Sequence, residues 1–252
     1  MYGLKKLLLM SLGLSVILTT NVLANNDLTI MTENWPPLNY VENNVLKGPA
    51  VDIVKAIQKK IKNENKILVF PWKRAYTYAL EQRNKVLFSM VHSKKRDLLF
   101  KWVGPIAEKR YSLYAKKGFT GKIKTLEDAK KFSIGVQREG FTEQYLESRG
   151  FTNLQKANNA TQNARKLLRD RFELMFDSYS TFSKTVKQYE MNKNDFVEVL
   201  RVQRKLMYIA FNKYTPDETI SLWQDAYNEL YENGDIKAIF KKYDSEALYW
   251  NK

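Results

Sequence analysis

The stretch "FSIGVQREGFTEQYLESRG", residues 132–150, decides how the rest of the chain is read. Phe132 to Val136 is a compact apolar run of strand length, and Gly140 allows backbone geometry that other residues avoid. The residues from Thr142 to Gly150 then take helical spacing. Free backbone N–H groups at such a helix start suit an anion, but the same residue types cap helices, so Thr142 has both readings.

The same strand-then-helix unit recurs on both sides. Upstream, Leu28 to Thr32 is β-prone, and Val51, Val54, Ile57 and Ile61 follow Gly48-Pro49 at helical spacing. Ile67 to Phe70 is a strand, Arg74 to Glu81 a helix, and Val86 to Met90 and Tyr111 to Ala115 are strands. Thr125 with Asp128 has the form of a capping box opening a further helix. Downstream, helix Ala160 to Arg169, strand Phe172 to Phe176 and helix Tyr179 to Tyr189 precede two strands, Phe196 to Leu200 and Leu206 to Asn212. Two helices, Pro216 to Tyr231 and Asp235 to Tyr243, break at Asn233-Gly234. Strand–helix alternation predicts an α/β fold with largely parallel sheets, whose ligands collect at the carboxyl ends of the strands.

The N-terminus is a separate signal. Lys5 and Lys6 precede the apolar run Leu7 to Leu18, and Val22-Leu23-Ala24 has the form of a cleavage site, so residues 1–24 read as a signal peptide. The run is shorter than the roughly 20 apolar residues that span a bilayer. The reading is a protein exported through a cleavable signal peptide. The chain has no cysteine, which excludes disulfides, thiolate nucleophiles, cysteine zinc sites and a lipobox. Its formal charge of +15 invites a nucleic-acid reading. The basic residues, however, are scattered among acidic ones, and no nucleic-acid motif is present.

Candidate site residues cluster after strands. "TENWPPLNY" (32–40) presents Trp35 on a stiff loop, either against a ligand or as an outer cap on the core. "FPWKRAYTYAL" (70–80) presents Trp72 and Arg74, the latter alternatively a surface ion pair. "ELMFDSYST" (173–181) places Asp177 where it either caps the next helix or faces a cleft and pairs with an ammonium group. His92 is the only histidine and has no partner for a metal site or a serine triad. Nothing in the sequence makes a positive case for catalysis, a metal or a cofactor.

These stretches, together with "SKKRDLLFKWVGPI" (93–106) and "NGDIKAIFKKY" (233–243), resemble the family 3 extracellular solute-binding proteins, the periplasmic receptors of polar amino-acid ABC importers. The resemblance implies a two-lobe periplasmic-binding-protein-like fold (type II), with a ligand cleft between lobes joined by a two-stranded hinge. Lobe 1 is then 25–110 plus 213–252, and lobe 2 is 111–212. It further implies that Arg96 grips a ligand carboxylate, that Trp35 lies against the ligand, that Ser89 lines the cleft and that Thr142 gives a second hold on the carboxylate. The family's amine-binding aspartate aligns with Ser178, one residue past Asp177, and a second hydroxyl position is Val91. "PWKRA" and "FKWVGPI" resemble a branch whose ligands need not be standard amino acids. The implied protein is a monomeric binder, not an enzyme, that delivers a small amino acid or related carboxylate to an inner-membrane ABC permease. The alternatives are an exported dehydratase on the same scaffold, with Glu33 or Glu139 as acid or base, and a ligand-sensing module.

Overall fold

A computed structural model describes residues 27–250. The signal-peptide reading and the cleavage site after Ala24 lie outside the described residues. No helix among the described residues is long and apolar enough to cross a membrane.

Among the described residues, ten strands and seven α-helices follow one another along the chain. In order they are β1 (Thr29–Thr32), β2 (Tyr40–Glu42), β3 (Val45–Lys47), α1 (Pro49–Lys60), β4 (Ile67–Val69), α2 (Trp72–Glu81), β5 (Lys85–Val91) and β6 (Phe100–Lys116). There follow β7 (Ile134–Gln137), α3 (Phe141–Glu147), β8 (Leu154–Ala157), α4 (Ala160–Leu168), β9 (Leu174–Ser178), α5 (Tyr179–Gln188), β10 (Phe196–Asn212), α6 (Asp217–Glu232) and α7 (Asp235–Lys242). Eight strands hydrogen-bond in the order β4-β1-β5-β10-β6-β9-β7-β8, and β2 pairs with β3 as a separate hairpin.

β6 and β10 are 17 residues each and run antiparallel through both ends of this sheet. At one end β5 joins β10 at Met207–Phe211 and carries β1 and β4 beside it, all three parallel to one another. At the other end β9 joins β6 at Tyr111–Ala115, with β7 and β8 parallel to it. Two parallel half-sheets on a shared antiparallel pair make a two-lobe α/β fold, lobe 1 being the half around β1 and lobe 2 the half around β7. The sequence reading expected separate short strands at 111–115, 196–200 and 206–212; they are parts of these two long ones. Polar residues such as Lys109, Arg110 and Arg204 interrupt the apolar runs there and hide the continuity.

The apolar spacing in α1 faces inward as read: Val51, Val54 and Ile57 are buried against a core that includes Phe211 and Trp223. Gly48, with φ near 125°, precedes α1, and a Cβ there would stand 2.2 Å from the Leu38 carbonyl oxygen. The side of Asp52 away from that core holds Lys242 Nζ and Tyr243 Oη at 2.7 and 3.0 Å, tying α1 to the C-terminal helices. The Thr125/Asp128 box forms, Asp128 accepting the Lys124 and Thr125 N–H groups and donating its own to Thr125 Oγ1, but it opens only a 3-10 turn, Glu127–Lys131.

Candidate functional site

The site begins with an irregularity in β5. Phe88 pairs with Ile209 and Met90 with Tyr208, so Ser89 is an extra residue without a partner, a β-bulge. Its φ is 64°, left-handed for a non-glycine residue. The bulge also resets the alternation of the strand. Leu87 and Met90 face the core beneath α2, whereas Phe88 and Val91 face the opposite core. Ser89 Oγ is buried, without a hydrogen-bond partner, in a chamber between the lobes.

Past β5 the turn from Ser93 is closed by Arg96 N–H donating to the Ser93 carbonyl at 2.8 Å. Lys94 and Lys95 stay in solvent on its outside, while Arg96 turns inward and has no exposed surface. The guanidinium lies beside the stacked rings of Trp72 and Tyr76, 5.2 and 5.0 Å from their centroids. Its Nη1 donates to the Val91 carbonyl at 3.3 Å and its Nε to Gln144 Oε1 of lobe 2 at 3.1 Å. Nη2 has no partner. No carboxylate among the described residues stands within ion-pair distance of it. Burial lowers the guanidinium's pKa, opposed by the neighbouring Tyr76 and Tyr111 and by Glu33.

Lobe 2 supplies the facing wall from Gln137, Phe141, Thr142, Phe176 and Asp177, with Tyr111 from β6. Thr142 Oγ1 accepts the Gln137 N–H at 3.2 Å, which leaves the hydroxyl proton free to donate. Asp177, not Ser178, lines the chamber. Ser178 instead caps α5, its Oγ reaching Thr181 N and Thr181 Oγ1 at 3.3 and 2.8 Å.

Four contacts hold the lobes together over the chamber. Gln137 Nε2 donates to Glu33 Oε2 at 2.7 Å, Trp72 Nε1 donates to the Glu139 carbonyl at 2.9 Å, and Lys73 pairs with Glu139 at 2.9 Å, alongside the Arg96–Gln144 bond. This is a closed arrangement. The chamber then has about 20 Å³ of free volume, on the scale of the space one water occupies. Beyond Glu33, Gln137, Trp35 and Trp72, which line both spaces, lies an outer groove of about 580 Å³. That is within the usual range of ligand pockets.

The acidic groups of the chamber are perturbed. Burial raises Glu33 to about 7, with Gln137 and Lys109 opposing the shift. Burial likewise raises Asp177, against the Ser178 N–H it accepts at 2.6 Å and against Lys109. Lys109, on β6, is itself fully buried and held below its ordinary range by burial, with Asp177 and Glu33 acting to retain its proton. Its Nζ donates to Thr181 Oγ1 at 2.9 Å and sits 3.1 Å from the Trp35 ring centroid.

Of the residues singled out from sequence, Arg96, Trp35, Ser89, Thr142, Asp177 and Trp72 meet at this chamber, and Val91 adds an apolar patch to it. Arg74 does not. It is exposed on α2, with Nε on Tyr78 Oη at 3.0 Å and its guanidinium 4.8 Å from the Phe70 ring centroid. The stem of α2 turns Trp72 inward and Arg74, two positions on, outward. His92 is bonded to Asp97 at 2.7 Å and packed edge-on against Trp102, away from the chamber. The sequence reading missed Lys109, Tyr111, Gln137 and Gln144. The one signal for the first two was the two-residue period that places Lys109 and Tyr111 on one face of β6.

The model of the bacterial extracellular solute-binding proteins, family 3, matches residues 28–246. The chain belongs to that family. No curated protein sequence matches this solute-binding protein. Solved structures share its fold. A histidine kinase sensor domain with similarity to periplasmic binding proteins aligns at 18% identity over 85% of this chain and 95% of that one, TM-score 0.77. An ancestral arginine-binding protein bound to arginine aligns at 23% identity over 86% and 97%, TM-score 0.74. The arginine-, lysine-, histidine-binding protein ArtJ of Geobacillus stearothermophilus aligns at 15% over 85% and 94%, TM-score 0.71.

Proposed function

We propose that this protein captures a small carboxylate-bearing ligand between its lobes, holds it without chemical change, and delivers it in the periplasm to an inner-membrane ABC permease. The observation that carries the reading is Arg96: a guanidinium with no exposed surface, an unpartnered Nη2 and no carboxylate beside it. An unpaired buried cation is costly, and an arriving carboxylate offsets that cost through the guanidinium's fixed fork. Thr142 and Ser89 add hydroxyl donors, and Trp35 and Trp72 form aromatic walls.

In this reading the protein acts as a monomer, exported by cleavage after residue 24. Lobe 1 is residues 25–110 and 213–252, lobe 2 is 111–212, and β6 and β10 are the hinge. Ligand contacts from both lobes favour the closed form that a permease distinguishes from the open one. A thermal-shift screen over amino acids, polyamines and organic acids tests it. A ligand at 100 times its Kd adds about 2.7 kcal/mol of stability. Stabilisation by carboxylates and not by polyamines is the expected result, and stabilisation by polyamines alone would refute it.

A further inference from the structure

We infer that the ligand is a carboxylate lacking an α-ammonium group, because the Lys109 ammonium already serves the acidic and aromatic groups that a ligand amine would use. This rests on the carboxylate-binding reading above and narrows its substrate class.

The partners of the chamber's polar groups are unequal. The buried lining atoms without partners are Arg96 Nη2 and Ser89 Oγ, and both can donate. The two acids are provided for. Glu33 accepts from Gln137 Nε2, Asp177 accepts from the Ser178 N–H, and Lys109 is the cation acting on both. The unpartnered buried atoms thus call for an acceptor from the ligand.

Lys109 also takes the cation's position on the aromatic wall. Its Nζ lies 3.1 Å from the Trp35 ring centroid, close cation–π geometry, and its hydrogen bond to Thr181 fixes it there. A ligand ammonium seated against Asp177 would enter beside this buried like charge. The geometry supports the same choice: Asp177 and Glu33 both act to hold the proton on Lys109, and Arg96, with Nη2 unpartnered, is left for one external anion. The outer groove, with Phe70 and Tyr189 in its lining, has room for the remainder of a ligand whose carboxylate reaches inward.

Calorimetry on the full chain at neutral pH with matched pairs tests this: 3-phenylpropionate against L-phenylalanine, 4-methylpentanoate against L-leucine, and glutarate against L-glutamate. For at least one pair, the amine-free member should bind the wild-type protein about tenfold tighter or more. Lys109→Met, which frees Asp177, should shift that ratio toward the amino acid by about tenfold, and Lys109→Arg should keep the wild-type preference. Amino acids binding wild type as tightly as their amine-free partners would overturn the inference while leaving carboxylate binding intact, and so would a ratio unmoved in a folded Lys109→Met. If Lys109→Met does not fold, the wild-type ratio decides alone. Binding of neither member of any pair would reject the carboxylate reading and this inference with it.

Discussion

Complete burial takes the Arg96 guanidinium out of water with only neutral groups, the Val91 carbonyl, Gln144 and the Tyr76 hydroxyl, in hydrogen-bond reach, so its worth to the protein lies in what it receives. Charged hydrogen bonds contribute about 1.5–3 kcal/mol. Arg96→Lys, which replaces a planar fork with a point charge, should therefore weaken carboxylate binding by about tenfold or more, and Arg96→Ala further. Lys94→Ala and Lys95→Ala, on the solvent side of the same turn, should leave affinity nearly unchanged. Titration calorimetry on the four variants separates one anchoring arginine from a diffuse basic patch. Ser89 carries a different kind of cost: left-handed backbone at a non-glycine residue is strained by about 1–2 kcal/mol. Ser89→Gly relieves that strain and deletes a cleft donor, so melting temperature should rise while affinity falls. Both falling together would mean that the hydroxyl is structural. Glu33 adds a pH dependence. Its native value of about 7 exceeds the ordinary 4.5, so its contribution is fully present below about 4.5 and is lost as pH rises through 7. Glu33→Gln, still able to accept from Gln137, should be more stable than wild type at pH 8 and show no such gain at pH 4. Denaturant midpoints measured across that range check the sign.

The elements that position these side chains differ in how openly the sequence announced them. α1, α6 and α7 were legible because each puts an apolar stripe on a buried face, and the order of strands and helices followed from the same periodicity. β6 and β10 read as fragments because their middles face both solvent and cleft, which places Lys109, Arg110 and Arg204 inside strands. The bulge at Ser89 left no mark, since Val86 to Val91 is apolar on both faces apart from Ser89 and alternation cannot be seen in such a run. Arg96 and Thr142 were found by their place in a family pattern. Gln137 and Lys109 depend on which lobe faces which and became visible only in three dimensions. The choice between Asp177 and Ser178 was equally undecidable from spacing; α5 takes Ser178 as its cap and Asp177 stands on the chamber wall. Ser178→Ala should accordingly destabilise the protein by about 1 kcal/mol with ligand affinity preserved. A large loss of affinity at unchanged stability would return Ser178 to the binding site.

For the whole molecule, the cross-lobe bonds from Trp72, Lys73, Arg96 and Gln137 define a closed state that a ligand held by both walls would favour. Saturating carboxylate should reduce the radius of gyration in small-angle scattering without altering far-ultraviolet circular dichroism. An unchanged profile with a bound ligand would argue that closure is not coupled to binding. The pairing of β6 with β10 bears also on the order in which the chain acquires its structure. Phe100 lies opposite Asn212 and Lys116 opposite Phe196, so the ladder joins segments roughly a hundred positions apart, a separation that slows folding through loop-closure entropy. Lobe 1 must wait for β10, α6 and α7 before its sheet and core are complete, whereas lobe 2 can assemble from one continuous run. A nascent chain therefore stays uncommitted until synthesis has passed residue 212. Truncation before β10 should leave lobe 1 unprotected in hydrogen exchange, even where the strands of lobe 2 have formed.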